Sequence, residues 1–261
     1  MTYTAALVTG GAHRLGRAMA LRLAARGVAV AVHYATSASA AQALVDEIKS
    51  AGGQAAAVQA DLLDLDHTQG LVAKASTALG LPLDVLVNNA SIFEYDRIDT
   101  LTAESWDRHM NSNLRAAVFL TQAFAAQLPE AKAVQKTEAV ARGCIVNMVD
   151  QRVRKLTPEF MTYSLAKAGL WTFTQTAAQA LAPDVRVNAI GPGPTLKGAR
   201  QTQEHFDQQR ANTILQRGAN EADICAALEY LLDAPAVTGQ LICVDGGQHL
   251  GWKTPDIINA E

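Results

Sequence analysis

Tyr163 and Lys167 stand four residues apart in Met161-Thr-Tyr163-Ser-Leu-Ala-Lys167, at the start of a long apolar helical pattern. Residues at that spacing share a helix face, which sets a phenol over an ammonium. A free tyrosine ionises near pH ~10 and is a reluctant proton donor or acceptor at neutral pH. A cation beside it favours the phenolate, so the spacing predicts a lowered tyrosine pKa and a usable general acid or base. The same spacing also decorates the sides of ordinary helices. The pair therefore gains meaning only from a site built around it.

The elements that must position such a pair are legible in the hydrophobic pattern. Short apolar runs at 5–9, 28–32, 54–60, 84–87, 144–148, 185–190 and 241–244 alternate with helical periodicities at 13–26, 39–51, 66–79, 103–128, 161–181 and 220–232. Runs apolar on both faces are the mark of a parallel sheet covered by helices on each side. The prediction is one doubly wound α/β domain over residues 1–261, with about seven parallel strands. A Gln/Lys/Glu-rich stretch near 130–142 reads as a surface insertion.

Composition narrows the function classes. Of 261 residues, 49% are hydrophobic and 18% charged, enough for one sizeable core and too apolar for a disordered chain. The formal charge of −3 gives no electrostatic case for nucleic acid or an acidic membrane. The N-terminus carries no basic-then-apolar leader and no run of about 18 apolar residues occurs, so a cytoplasmic location is expected. Cys144, Cys225 and Cys243 lie in apolar runs without metal-ligand spacing. They are expected to be free thiols, and no metal site is expected.

In a doubly wound sheet, ligands bind beyond the carboxyl ends of the strands. After the first run comes Thr9-Gly10-Gly11-Ala12-His13-Arg14-Leu15-Gly16, a glycine-rich turn into a helix. Such a turn lets backbone approach a pyrophosphate at a helix N-terminus, and Arg14 adds a cation. The second run ends in His33-Tyr34-Ala35-Thr36-Ser37, with no acid between Arg26 and Asp46. A carboxylate there would bind a ribose 2′-hydroxyl and repel a 2′-phosphate, so its absence, with Arg14, His33 and Ser37 nearby, favours NADP(H). The alternative is that His33 fills a strand end. Asp61, followed by Leu62, can accept from an adenine amino group or cap its own turn. Asn88-Asn89-Ala90-Ser91 either runs along a nucleotide or forms an ordinary turn.

Thr9-Gly10 with Gly16, Asn88-Asn89-Ala90, Asn113, Tyr163 with Lys167, Asn188, Pro192-Gly193 and Val244-Asp245-Gly246-Gly247 follow one another along nearly the whole chain. Together they resemble the short-chain dehydrogenase/reductase family. The resemblance implies hydride delivery by a nicotinamide, with Tyr163 giving the proton. It further implies that Lys167 holds the nicotinamide ribose and depresses the tyrosine pKa. Asn113, at a helix interruption, would help hold a water linked to Lys167, and Thr195 would touch the nicotinamide amide or diphosphate. A lid at about 194–217, a tail at 246–261 packed at a subunit interface, and a homotetramer belong to the same expectation.

One position departs from the family pattern. Where the family has a serine thirteen residues before the tyrosine, this chain has Asp150. An ionised carboxylate only accepts hydrogen bonds and repels a developing alkoxide, which argues against ordinary carbonyl reduction. It suits a ring nitrogen that needs a proton. With Arg14, His33-Tyr34 and Asn89-Ala90-Ser91-Ile92-Phe93, the chain resembles the pteridine reductase branch, which includes dihydromonapterin reductases. That implies a pterin-like substrate stacked on Phe93, proton delivery by Asp150 and Tyr163, and Arg14 contacting both cofactor phosphate and pterin. Thr36, where the branch often has arginine, weakens the expected preference for NADPH. A carbonyl reductase of the same family and a non-catalytic dinucleotide-binding protein are the competing readings. Phe93 as a loop plug and Asp150 as a turn cap are the bland ones.

Overall fold

Seven apolar runs become strands: β1 (Ala5–Val8), β2 (Ala29–Tyr34), β3 (Ala55–Gln59), β4 (Val85–Asn88), β5 (Gly143–Met148), β6 (Val185–Pro192) and β7 (Leu241–Val244). They are seen in a computed structural model that describes residues 3–128, 140–198 and 200–253. All pair in parallel, in the order β3-β2-β1-β4-β5-β6-β7. β1, β4 and β5 are buried along their whole length, which explains their apolar sequences; the two asparagines they carry, Asn88 and Asn147, hydrogen-bond each other.

Alternate residues of each strand feed two helical layers. Ala6 and Val8 pack with Met19 and Leu23 of α1 (Arg14–Ala25), Leu44 and Ile48 of α2 (Ala38–Ser50), and Leu228 and Leu231 of α8 (Glu221–Asp233). Ala5 and Leu7 face the other way, onto Leu71 of α3 (Leu65–Leu79), Leu120 and Phe124 of α5 (Ala116–Gln127), and Ala177 of α6 (Met161–Ala180). Phe124 is wholly buried, and truncating it to alanine would cost about 3–5 kcal/mol.

The strand order reverses where β1 lies between β2 and β4, and the turns after these strands diverge to leave a crevice. The helical periodicity at 103–128 is not one helix. α4 (Ala103–His109) passes through a π-helical turn at Met110–Arg115 before α5 begins, and Asn113 sits in that turn. Such a turn re-aims side chains that a regular helix would carry past the site. A short α7 (Gln203–Ala211) lies in the segment expected to form the lid. Most of the polar stretch near 130–142, and the tail beyond Lys253, lie outside the described residues. Among the described residues no helix is long and apolar enough to cross a membrane. Cys144 and Cys225 are buried and Cys243 half-buried, all as free thiols.

Candidate active site

A cavity of about 760 Å³ runs along the carboxyl ends of the strands, from Thr36, Gln59 and Asp61 at one end to Asp150 and Tyr163 at the other. The first end is built from backbone. Gly10 adopts φ +59°, a left-handed conformation open to glycine at little cost. A Cβ on Gly16 would run into the Gly10 carbonyl and stand 2.6 Å from Asn89 Nδ2, so only glycine fits there. Asn89 Nδ2 donates to the carbonyls of Thr9 and Gly10 (2.8 and 3.2 Å), while Thr9 Oγ1 accepts from the backbone N–H of Asn89 and Ala90. The turns after β1 and β4 are thereby fixed to each other. α1 starts from His13 without a side-chain cap, which leaves its first N–H groups and positive dipole end at the cavity.

His33 is not a cation of this site, contrary to the expectation for a 2′-phosphate group. It is 2% exposed; its Nδ1 accepts from the Gly10 N–H (3.0 Å) and its Nε2 faces the Ala60 carbonyl (3.1 Å). One nitrogen accepting and the other donating describes a neutral ring, and burial lowers its pKa to about 4. His33 ties the ends of β1, β2 and β3 together while one edge lines the cavity. Asp61 also lines it, with Oδ1 accepting from Leu63 N–H at 2.9 Å, and Leu62 sits beside it. Tyr34 and Ser37 do not line the cavity. Ser37 stands at the N-terminus of α2 with no side-chain capping bond.

The other end is built from side chains. Tyr163 Oη donates to Asp150 Oδ2 at 2.9 Å, and Lys167 Nζ donates to the Met148 carbonyl at 2.7 Å, 5.7 Å from the Tyr163 ring centroid. Tyr163 and Lys167 are buried, as the helix-face argument requires. The predicted depression of the tyrosine pKa is corrected here. Burial raises Tyr163 well above its ordinary value, and the Asp150 carboxylate raises it further, because both disfavour a phenolate. Burial also raises Asp150, against the opposing pull of the Arg152 N–H, the Arg152 charge, Tyr163 and Lys167. Lys167 is lowered to about 8 by burial, with Asp150 pulling it back up. The arrangement holds protons on the tyrosine side instead of stripping them.

Two features that position this end carry no local sequence signal. α6 begins at Phe160, in a left-handed conformation (φ +56°) with no side-chain cap of its own. Asp96, buried and far away in the chain, caps it instead. Its Oδ1 accepts from Thr162 N–H, its Oδ2 from the Thr162 hydroxyl, and its backbone carbonyl from Phe160 N–H. Buried His109 bonds the same hydroxyl through Nδ1 (2.7 Å) and accepts from Glu94 N–H through Nε2. Asn113 does not line the cavity. Its amide is spent on both backbone groups of Ile92 (2.8 Å each), so its side chain clamps the loop after β4.

That loop carries Ser91 and Phe93, which line the cavity. Phe93 meets Tyr163 edge-on at 4.7 Å, but its face stacks on Phe160, with centroids 4.3 Å apart and planes 9° from parallel. The segment expected to form a lid is pinned by arginines. Arg14 (φ +51°) donates to the carbonyls of Leu196 and Lys197 (3.0 Å each), and Arg210 to those of Pro194 and Ala219. Pro192, Gly193 and Thr195 line the cavity beneath it, and Thr195 Oγ1 donates to Gly193 O.

A doubly wound sheet with a glycine-lined crevice and a buried Tyr/Lys pair at its far end defines a dinucleotide-dependent oxidoreductase architecture. Residues 4–208 match the family model described as short chain dehydrogenase, and the chain belongs to that family. Among solved structures it is similar to FolM alternative dihydrofolate reductase 1 from Brucella canis, complexed with NADP. That match is 42% identical, covers 98% of each chain and has a TM-score of 0.89. The Brucella suis counterpart, also with NADP, is 43% identical over 97% of this chain and 98% of the other, with a TM-score of 0.90. The chain is also 32% identical over 250 residues to the 3-oxoacyl-[acyl-carrier-protein] reductase FabG of Staphylococcus aureus, covering 94% of this chain and 98% of that one.

Proposed function

We propose that this chain is an NADPH-dependent reductase of a C=N bond in a dihydropterin or a similar flat nitrogen heterocycle. The hydrogen bond from Tyr163 Oη to the half-buried Asp150 carboxyl group carries the reading. Both groups have raised pKa values, so a proton is held between them at the place where a reduced ring nitrogen needs one. A serine there would instead hydrogen-bond a carbonyl oxygen. The likeness to two alternative dihydrofolate reductases supports the same choice.

The residues present suit the cofactor. Glycine at 10 and 16 admits a close backbone approach, and the uncapped start of α1 offers N–H donors to phosphate. Gly10, His13, Arg14, Leu15, Gly16, Asn89, Ala90 and Thr195 would hold NADPH along the cavity. Bound there, it supplies the hydride. The rest is the work of side chains. Lys167 is oriented by the Met148 carbonyl, and the ionised form of Asp150 opposes the lowering of its pKa by burial. Tyr163 is oriented by Asp150 and by the edge of Phe93. Tyr163 gives its proton to the ring nitrogen as charge develops there, and Asp150 in its protonated form then passes its own proton to the tyrosine oxygen and is left as the carboxylate.

Carbonyl reduction is the second reading, favoured by the likeness to a 3-oxoacyl reductase. The test is consumption of NADPH with 7,8-dihydrobiopterin or dihydromonapterin against a panel of ketones. Pterin turnover with little ketone turnover is expected. Ketone turnover without pterin turnover would replace the first reading by the second. Tight NADPH binding without turnover of any of these substrates would favour a non-catalytic binding protein.

A further inference from the structure

Two arginines converge on the stacked Phe93–Phe160 pair from separate parts of the chain. Arg152, in the turn after β5, has its guanidinium carbon 5.8 Å from the Phe93 centroid and 4.8 Å from that of Phe160. Arg200, in the lid segment, lies 5.5 and 5.6 Å from the same two centroids. Phe93 in turn lines the cavity and touches the ring of Tyr163, so both cations stand one aromatic ring beyond the proton donor.

Neither arginine is in contact with a carboxylate among the described residues, although Arg152 acts through space on Asp150 and Arg200 on Glu94. Arg17, Arg22, Arg26, Arg108, Arg142 and Arg217 each pair with a carboxylate, whereas among the described residues Arg152 and Arg200 have none within 4.0 Å. Glu94, the acid on the adjacent loop, is held by both Nε and Nη2 of Arg108. Glu159 accepts from the Tyr95 hydroxyl. Among the described residues each of the two arginines makes a single side-chain hydrogen bond: Arg152 Nη1 to Thr157 Oγ1 (3.1 Å) and Arg200 Nη2 to Phe93 O (2.8 Å). A guanidinium has five N–H donors, so most of each fork is unused. The cofactor phosphates have their own cradle at the opposite end of the cavity, by Gly10 and Gly16. What remains is a pair of cations against an aromatic pair whose Phe93 member lines the cavity.

We infer that Arg152 and Arg200 form a subsite for a carboxylate-bearing tail on the flat ring, so that the enzyme prefers a heterocycle with an anionic side chain to one with a neutral side chain. Close contact with the Phe93–Phe160 pair limits the positions of both forks, which suits capture of a carboxylate between them. This inference rests on the reading of the site as one for flat nitrogen heterocycles.

The experiment compares 7,8-dihydrofolate, which carries a p-aminobenzoylglutamate tail, with 7,8-dihydrobiopterin, whose tail is neutral. The full chain and its R152Q, R200Q and double variants are used. The ratio of kcat/KM for the tailed over the neutral substrate is expected to fall about ten-fold or more in the double variant, through KM. Added salt should lower that ratio in the parent enzyme and leave the double variant nearly flat. A ratio that stays the same in the double variant, or a parent enzyme with no preference for the tail, would overturn the inference while leaving pterin reduction intact. If neither pterin is turned over, the functional reading fails by itself. Calorimetric binding of dihydrofolate to the NADPH-loaded parent and double variant then decides: weaker binding by the variant supports the subsite, and equal Kd values sink it.

Discussion

The two ends of the cavity are made differently. At the proposed nucleotide end the contacts are backbone to backbone or backbone to a compact polar side chain: Gly16 against Gly10, Asn89 on the Thr9 and Gly10 carbonyls, His33 bridging Gly10 and Ala60. At the other end, the proposed substrate end, long side chains from distant segments meet: Asp150, Tyr163, Phe93, Phe160 and Arg200, which reaches the Phe93 carbonyl. Backbone contacts form one arrangement, set by strand register and turn conformation. Side chains on loops can repack, which lets a substrate site diverge while the nucleotide site is kept. The first end should therefore respond to substitution mainly through folding and cofactor affinity, and the second through turnover and substrate choice.

Substitutions at the two ends can break or sharpen that contrast. Tyr163→Phe removes the proposed proton donor and keeps its ring, so kcat should drop about 10²- to 10⁴-fold with cofactor affinity and melting temperature nearly kept. Retained turnover would place the donor elsewhere. Asp150→Ser should lower pterin turnover about 10²-fold and raise ketone turnover. Because burial raises the Asp150 pKa, its protonated fraction declines as pH rises through that value, and pterin kcat/KM should decline with it. The serine variant should lack this limb in a pH–rate profile.

At the nucleotide end the readout changes. His33 is lowered to about 4 against an ordinary 6.5, so the unfolded chain takes up a proton first as pH falls. Its contribution is complete above about pH 6.5 and is lost on acidification toward pH 4, worth about 3 kcal/mol over that window. His33→Ala strands the Gly10 N–H and the Ala60 carbonyl. Its melting temperature should be lower at neutral pH, and its stability should depend less on pH in that window. Gly16→Ala forces the two turns apart, with an expected loss of about 1–3 kcal/mol and a Kd for NADPH weakened about ten-fold. Arg14→Gln removes two exposed bonds to the lid carbonyls and should change KM by only about three-fold. A large fall in kcat there would mean that the lid latch is part of the chemistry.

The sequence by itself determined the alternation of strands and helices, because buried parallel strands demand unbroken apolar runs and covering helices demand a periodic face. It also determined the glycine turn and the Tyr163/Lys167 pair, since each depends on residues a few positions apart. Asp150 could be singled out from the chain alone because it stands where a serine was expected. What the tertiary structure decided involves partners far apart in sequence. His33 looked like a cation for phosphate and is a neutral bridge, because its environment comes from the turns after β1 and β3. The tyrosine was expected to be acidified by Lys167. Burial and Asp150 instead raise its pKa, since desolvation depends on everything packed around it and not on helix spacing. Asp96 capping α6, Asn113 clamping Ile92, and Arg152 and Arg200 meeting on one ring pair left no trace in local pattern. Each of these contacts joins side chains that only the folded chain brings within hydrogen-bonding or stacking distance.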